Sequence, residues 1–308
     1  MTHTFSYAAF IITYERPEIL TNTIKAVLSQ SYPPSKLLIV DNSFSKDTEQ
    51  LIKGLNNPII EYFGVGYNSG PAGGAYFGLS KLAYSDYEWI LWVDDDNPPD
   101  DNLLIERLIE EAMQYNNIES VGVIGSVGSD FDFAKGQVRR ITNKELLSHR
   151  YLEVKCVAGG MFPLVRSEVV RMGAYPNKDF FFGFEELDFC LKVLSLGFRI
   201  IVPSEIMMER RKLSGRWNLQ SKITYLPMGA LWRQYYSARN MTYLFSHTYF
   251  NSWVIMRYFL RYLIKSLLSY SKGLQYGWRA TSYIFLGYFH GILGKMGKTI
   301  IPSFKHSK

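Results

Sequence analysis

Short apolar runs alternate with stretches of helical periodicity through the first 125 residues. The runs at residues 8–13, 37–41, 59–63, 88–93 and 120–124 are of strand length and almost uninterrupted by polar residues, as expected of strands covered on both faces. Between them, residues 17–30, 46–55, 73–83 and 100–115 carry helical patterns, the first opening on Pro17, a residue suited to a first helical turn. Alternating β and α elements predict an α/β fold, a mostly parallel, doubly wound sheet with helices on both faces. Ligands of such sheets bind beyond the carboxyl ends of the strands. Four successive runs end in polar clusters there: Thr13-Tyr14-Glu15-Arg16, Asp41-Asn42-Ser43, Asn68-Ser69-Gly70-Pro71-Ala72-Gly73-Gly74 and Asp94-Asp95-Asp96. One shared crevice accounts for all four.

The triple aspartate directly follows Trp89-Ile90-Leu91-Trp92-Val93 and precedes Asn97-Pro98-Pro99. Like charges this close repel, and a cation among them relieves the repulsion. Hard oxygen ligands select Mg²⁺ or Mn²⁺ and leave coordination positions for phosphate oxygens. A helix cap would need only one carboxylate, and Asp100 or Asp101 is better placed to supply it. A phosphatase-type D-x-D-x-T motif is excluded by Pro98 at the Thr position. A dinucleotide fingerprint at Gly64-Val65-Gly66 fails because Ser69 stands where the last Gly belongs, and it follows the third strand instead of the first. The glycines of residues 64–74 let backbone approach a ligand or pack a helix on the sheet. A second acidic cluster, Glu185-Glu186-Leu187-Asp188, follows Phe180-Phe181-Phe182 and opens a helical stretch that ends at Gly197. Acids at a helix N-terminus stabilise the helix through its dipole; beside aromatic rings, one of them can also have its pKa raised into the range of a base at neutral pH.

The 308 residues suffice for a large core. Cys156 and Cys190 are too few for a disulfide framework or a Cys₄ zinc site, and read as buried packing residues of a reducing compartment. The N-terminus lacks the basic region and cleavage site of a signal peptide, which predicts a cytoplasmic catalytic body. The net charge of +6 conceals a division. Residues 210–308 hold 16 of the 34 Lys and Arg and none of the 28 Asp and Glu. A tail so free of carboxylates calls for an anionic partner or surface.

Together these elements resemble the inverting family-2 glycosyltransferases of the GT-A fold, and within them the bacterial galactofuranosyl- and rhamnosyl-type enzymes. The resemblance runs from about residue 10 to 240. It rests on the four clusters above with Gly159-Gly160-Met161-Phe162, Phe184-Glu185-Glu186-Leu187-Asp188 and Tyr235-Tyr236-Ser237-Ala238-Arg239-Asn240, in that order. It implies a catalytic domain over residues 1–245, with a nucleotide-binding half to about 125 and an acceptor half from 126 to 245. It places Thr13, Glu15 and Arg16 beside the nucleotide, Asp41 at the base imide, and Asn68, Gly70, Gly73 and Gly74 along the ribose and sugar. Asp94 and Asp96 would hold the metal and diphosphate, with Asp95 also at the nucleotide sugar. Glu186 matches the catalytic base, with Glu185 beside it and Asp188 completing the motif. The family more often has Asp at the base position, so Glu185 stays open as the base. Where many relatives have a metal-binding His after a Pro, this chain has Glu209, either a further metal ligand or an exposed charge.

From residue 246 to 308 the chain is aromatic, aliphatic and basic. Arg257, Arg261 and Lys265 recur every four residues on one helical stripe. The uncharged run at 281–294 is 14 residues long, short of the roughly 20 that span a bilayer. Such helices lie at a membrane interface on anionic lipid, or pack on the catalytic domain or on a second subunit of a homo-oligomer. No nucleic-acid module accompanies the tail, so nucleic acid is not the expected partner. The sequence therefore predicts a metal-dependent, inverting transferase, peripheral on the inner membrane face. It would use a UDP-hexose such as UDP-galactofuranose, or else dTDP-rhamnose, and a lipid-linked or glycan acceptor. A catalytically silent membrane scaffold is the reading of another class.

Overall fold

The computed structural model describes residues 5–218 and 225–301. The end of the basic tail, residues 302–308, lies outside that range. β1 (Tyr7–Thr13), α1 (Pro17–Leu28), β2 (Lys36–Asp41), α2 (Asp47–Leu55), β3 (Ile60–Gly64), α3 (Gly70–Leu82), β4 (Trp89–Asp94), α4 (Leu104–Met113) and β5 (Val121–Ile124) reproduce the alternation read from the sequence. Then follow β6 (Gly128–Asp132), β7 (Gln137–Arg139), α5 (Asn143–Ser148), β8 (Tyr151–Glu153), β9 (Cys156–Val157), β10 (Leu164–Arg166), α6 (Ser167–Arg171), α7 (Glu185–Ser195), β11 (Arg199–Pro203) and α8 (Ser204–Leu213). The chain closes with α9 (Trp232–Tyr243), α10 (Ser252–Ser269) and α11 (Leu274–Ile292).

Eight strands form the main sheet in the order β3-β2-β1-β4-β10-β5-β11-β8. β1 to β4 are parallel, β10 runs antiparallel between β4 and β5, and β8 is an antiparallel edge. One sheet thus crosses residue 125 without a break, because β10 comes from the second half of the chain. A small antiparallel sheet, β7-β6-β9, lies beyond it.

Alternate strand residues face opposite layers. Phe10, Ile12, Leu38, Val40 and Trp92 pack with residues of α3 and α7, while Ala9, Ile11, Leu37, Ile39 and Leu91 pack with residues of α1 and α4. Glycine lets α3 rest directly on the sheet: a Cβ at Gly78 would lie 2.4 Å from the Phe10 ring. A third core joins Phe131, Phe180 and Leu187 to Val254, Tyr258 and Tyr288, so α10 and α11 pack on the catalytic body. α9 and α11 meet backbone to backbone, since a Cβ at Gly287 would fall 2.2 Å from the Tyr235 carbonyl oxygen and one at Gly291 2.5 Å from that of Arg239. Among the described residues, no helix is long and apolar enough to cross a membrane.

Candidate active site

The apolar strand β4 delivers the three aspartates to the carboxyl edge of the sheet, where the turn sends them in different directions. Asp95, expected at the nucleotide sugar, is 1% exposed. Its carboxylate accepts from Thr13 Oγ1 at 2.7 Å and from the Arg16 guanidinium at 2.5 Å, and its carbonyl accepts from Thr23 Oγ1. Asp95 therefore anchors the acidic turn to the end of β1. Arg16 also donates to the exposed Asp96 at 2.8 Å, so its charge reaches the crevice through the acidic turn. Asp94 is partly exposed, and among the described residues no Lys or Arg pairs with it directly, although Arg16 feels its charge. Burial, then the charges of Glu186, Asp96 and Asp95, push its carboxyl up to about 7. Burial likewise raises Asp95, to about 6, against the pull of Arg16 and Thr13.

Glu186 comes to the same place from α7. Gly159, in the short 3₁₀ turn of residues 159–161, joins the two acids: its N–H donates to Glu186 Oε1 at 3.3 Å, and a Cβ there would sit 3.2 Å from Asp94 Oδ1. A Cβ at Gly160 would lie 3.3 Å from Asp94 Oδ2, and the Gly160 carbonyl accepts from the Asn97 amide. Gly159-Gly160 is thus a backbone wall against which both carboxylates stand. Burial raises the Glu186 pKa, opposed by backbone amides that include Gly159. Glu185 is 3% exposed, with Oε2 unpartnered among the described residues, and burial followed by the Glu186 charge holds its carboxyl well above the usual range. Asp188 faces away from this pair: it accepts from the Asn177 N–H at 2.8 Å and from Lys192 Nζ at 2.7 Å.

A strained loop sets the start of α7. Phe181 and Phe184 have φ of 61° and 68°, a left-handed conformation that bulky residues adopt only when held. The holders are Arg239 and Asn240 of α9, both fully buried. Asn240 Nδ2 donates to the carbonyls of Phe180, Phe182 and Gly183 at 3.1, 3.0 and 2.7 Å. Arg239 donates to the carbonyls of Asp179 and Phe180, and to Asn240 Oδ1. The motif containing these residues was visible in the sequence, but its function as a clamp was not, because the loop it grips lies about 60 residues away.

The remaining candidates knit neighbouring loops. Glu15, at φ 53°, accepts from the N–H groups of Phe44 and Ser45; they outweigh burial and hold its carboxyl below the ordinary value. Asp41, 1% exposed, accepts from the Ser43 N–H and from the Tyr62 hydroxyl. Asn68 accepts from the Gly70 N–H at 3.0 Å. Gly70, Gly73 and Gly74 belong to α3, where a Cβ would overlap the Phe181 carbonyl, the Ser69 side chain and Ile12 respectively. Of the two roles read for these glycines, packing is the one their surroundings require. Glu209 pairs with Arg107 at 2.7 Å. Cys190 is buried, Cys156 is partly exposed, and both are free thiols.

Among the described residues, no group of three or more His, Cys, Asp or Glu is arranged to enclose a metal ion. Asp94 and Asp96 nevertheless suit a hard divalent cation. Both are carboxylates of one turn, Asp94 raised by burial first and by the neighbouring acids second, and a nucleoside diphosphate would bring further oxygen ligands.

The family model of glycosyl transferase family 2 matches residues 8–171, the segment from β1 to α6 that carries the acidic turn and the glycine wall. Galactofuranosyltransferase GlfT1 of Mycolicibacterium smegmatis is 28% identical over 167 residues, 54% of this chain and 55% of that protein. Galactofuranosyltransferase GlfT1 of Mycobacterium tuberculosis is 24% identical over 203 residues, covering 63% of this chain and 66% of that one. The chain thus matches between about half and two thirds of the length of these relatives. In fold it is similar to the mannosyltransferase PcManGT of Pyrobaculum calidifontis, solved with GDP-Man and Mn²⁺, at a TM-score of 0.58 and 12% identity over 96% of this chain and 89% of that one. It is also similar to GalNAc-T7, solved with UDP, GalNAc and Mn²⁺, at a TM-score of 0.53 and 12% identity over 66% and 43% of the two chains. The mixed sheet, the acidic turn at its carboxyl edge and the family match across that turn agree: this chain has the GT-A fold and belongs to glycosyl transferase family 2.

Proposed function

We propose that this protein is an inverting nucleotide-sugar glycosyltransferase, using UDP-galactofuranose or a similar UDP-hexose and a lipid-linked or glycan acceptor for cell-surface polysaccharide synthesis. The observation that carries the reading is the meeting of Asp94 and Glu186 at Gly159, an acidic diphosphate-type turn and a potential base on one backbone wall. The galactofuranosyltransferase relatives favour the uridine-linked hexose over dTDP-rhamnose.

Asp94 and Asp96 would hold Mn²⁺ or Mg²⁺, which when bound supplies positive charge where the leaving diphosphate becomes more negative. Thr13 and Arg16, through Asp95, keep the acidic turn in register with β1, where the nucleotide would lie. Glu186 removes the acceptor hydroxyl proton as that oxygen attacks the anomeric carbon from the face opposite the diphosphate, so configuration inverts. Burial raises its pKa, which makes it a stronger base than an exposed carboxylate. Glu185 is buried behind it, its own carboxyl raised by burial and then by the Glu186 charge. Arg239 and Asn240 hold the loop that aims α7, a positioning role. The basic tail would rest peripherally on an anionic membrane surface at the cytoplasmic face.

The test is nucleoside-diphosphate release from a panel of UDP- and dTDP-sugars with membrane lipid extract as acceptor, in Mn²⁺ or EDTA, comparing wild type with Asp96→Ala. Metal-dependent release from one donor, abolished by Asp96→Ala, names the sugar and supports the site. No release from any donor would favour the silent scaffold.

A further inference from the structure

The C-terminal helices carry two features that sugar transfer does not use. The first is an apolar arc. Successive helical residues turn by about 100°, so Trp253, Met256, Leu260, Leu263, Ile264 and Leu267 of α10 share one side of the helix. They are between 41% and 70% exposed. Val254, Tyr258, Ser266 and Ser269 face the opposite way and are buried. Arg257, Arg261 and Lys265 run along the border between the two faces, the position cations take on a helix lying in a lipid interface.

The second feature is a cleft of about 450 Å³ beneath that border, between α9, α10 and α11. Arg261, Lys265, Gln234, Tyr262, Ser269 and Tyr276 contribute to its lining. Gln234 is 8% exposed, and its Oε1 is buried without a hydrogen-bond partner among the described residues. A buried amide oxygen left unpaired is costly and calls for a donor. The cations have no carboxylate near them in sequence, since residues 210–308 contain none. Among the described residues, Arg261 donates to the neutral Gln137 amide oxygen, at 3.4 Å, and to no carboxylate. The cleft is therefore lined by two cationic side chains, aromatic rings and the Gln234 amide, and it opens beside the exposed arc.

We propose that this cleft binds the headgroup of an anionic, hydroxyl-bearing membrane phospholipid while the apolar arc of α10 lies in the same leaflet. Arg261 and Lys265 meet the phosphate oxygens, and Gln234 Oε1 accepts from a headgroup hydroxyl. Charge complementarity selects a bilayer over a second copy of the chain, whose matching surface would be equally cationic. This deepens the membrane placement proposed above and rests on it, but it does not depend on the identity of the donor sugar.

The experiment measures binding of the full chain to phosphatidylcholine vesicles with and without phosphatidylglycerol. Wild type, Arg261→Gln/Lys265→Gln, Arg257→Gln/Arg279→Gln and Gln234→Leu are compared, each first shown by thermal unfolding to be folded. Phosphatidylglycerol should be required for tight binding. Two surface charges alone account for a loss of about 25-fold. The cleft pair should lose more than that and more than the control pair, and the charge-neutral Gln234→Leu should lose about tenfold. Equal losses from the two charge pairs, with Gln234→Leu binding like wild type, would overturn the cleft. Millimolar inorganic phosphate that displaces the protein from vesicles would assign the cleft to a free phosphate and overturn the lipid assignment. If neither vesicle type binds, both the cleft and the membrane placement fall; sugar-nucleotide turnover in detergent, read separately, shows whether the transferase reading stands.

Discussion

Replacing Asn240 by Ala should disable the site without touching any group that contacts substrate. The Asn240 amide donates to three carbonyls of the loop ahead of α7. The Phe180 carbonyl keeps its bond from Arg239 at 2.7 Å, so the loss falls on Phe182 and Gly183. Two part-buried carbonyls deprived of their donor cost at most about 2 to 6 kcal/mol, at up to about 1 to 3 each. That is a large part of the roughly 5 to 15 kcal/mol that separates a folded domain from its unfolded chain. Part of the cost is avoided if Phe181 and Phe184 leave their left-handed conformation, and that relaxation moves the first turn of α7 with Glu186 on it. A displacement of about 1 Å at a catalytic group can cost about 10² in rate. The variant should therefore show a thermal midpoint several degrees lower and, at a temperature where it is folded, a kcat lowered about 10²-fold. The donor KM should be nearly unchanged, because β1, β2 and β4 carry the nucleotide side. A folded Asn240→Ala variant with kcat within about twofold of wild type would refute the clamp.

Glu186→Gln should lower turnover by at least about 10²-fold while nucleotide affinity, measured by calorimetry, stays near wild type; strong residual activity would move the base to Glu185 or Asp188. Asp94, raised to about 7 against an unfolded value near about 3.9, holds its extra proton in the native state through that window. Stability of the metal-free protein should therefore fall as pH rises from about 4 to 7. Thermal unfolding in EDTA should show this fall, Asp94→Asn should flatten it, and Mn²⁺ should raise the wild-type midpoint more at pH 8 than at pH 5. Glu209→Ala removes a half-exposed partner of Arg107 and should cost no more than about 1 kcal/mol, with Mn²⁺ dependence intact; a loss of that dependence would make Glu209 a metal ligand.

The parallel half of the fold was legible because β1, β2 and β4 are buried on both faces and the helices on one, so period and length in the sequence carry the information directly. β1, β2 and β4 begin within a residue of their expected positions, and Pro17 opens α1 as read. β10 was not legible: three residues, Leu164–Arg166, become a strand only because the gap between β4 and β5 accepts them antiparallel. β7 and α5 were not legible for the same reason, being short elements completed by their neighbours.

The site divides in the same way. Residue type and spacing by themselves determined that aspartates end a buried strand, that glutamates begin a helix, and that the last third of the chain has no negative charge. Only the tertiary structure decided which carboxylate does what. Asp95 is paired with Arg16 from the loop between β1 and α1, Asp188 with Lys192, and Glu209 with Arg107, whereas Asp94 and Glu186 are left facing one another across Gly159. The physical reason is range. A hydrophobic period is written in consecutive residues, but the environment of a charge depends on partners that folding brings in from as far as 100 residues away, as Arg107 is brought to Glu209.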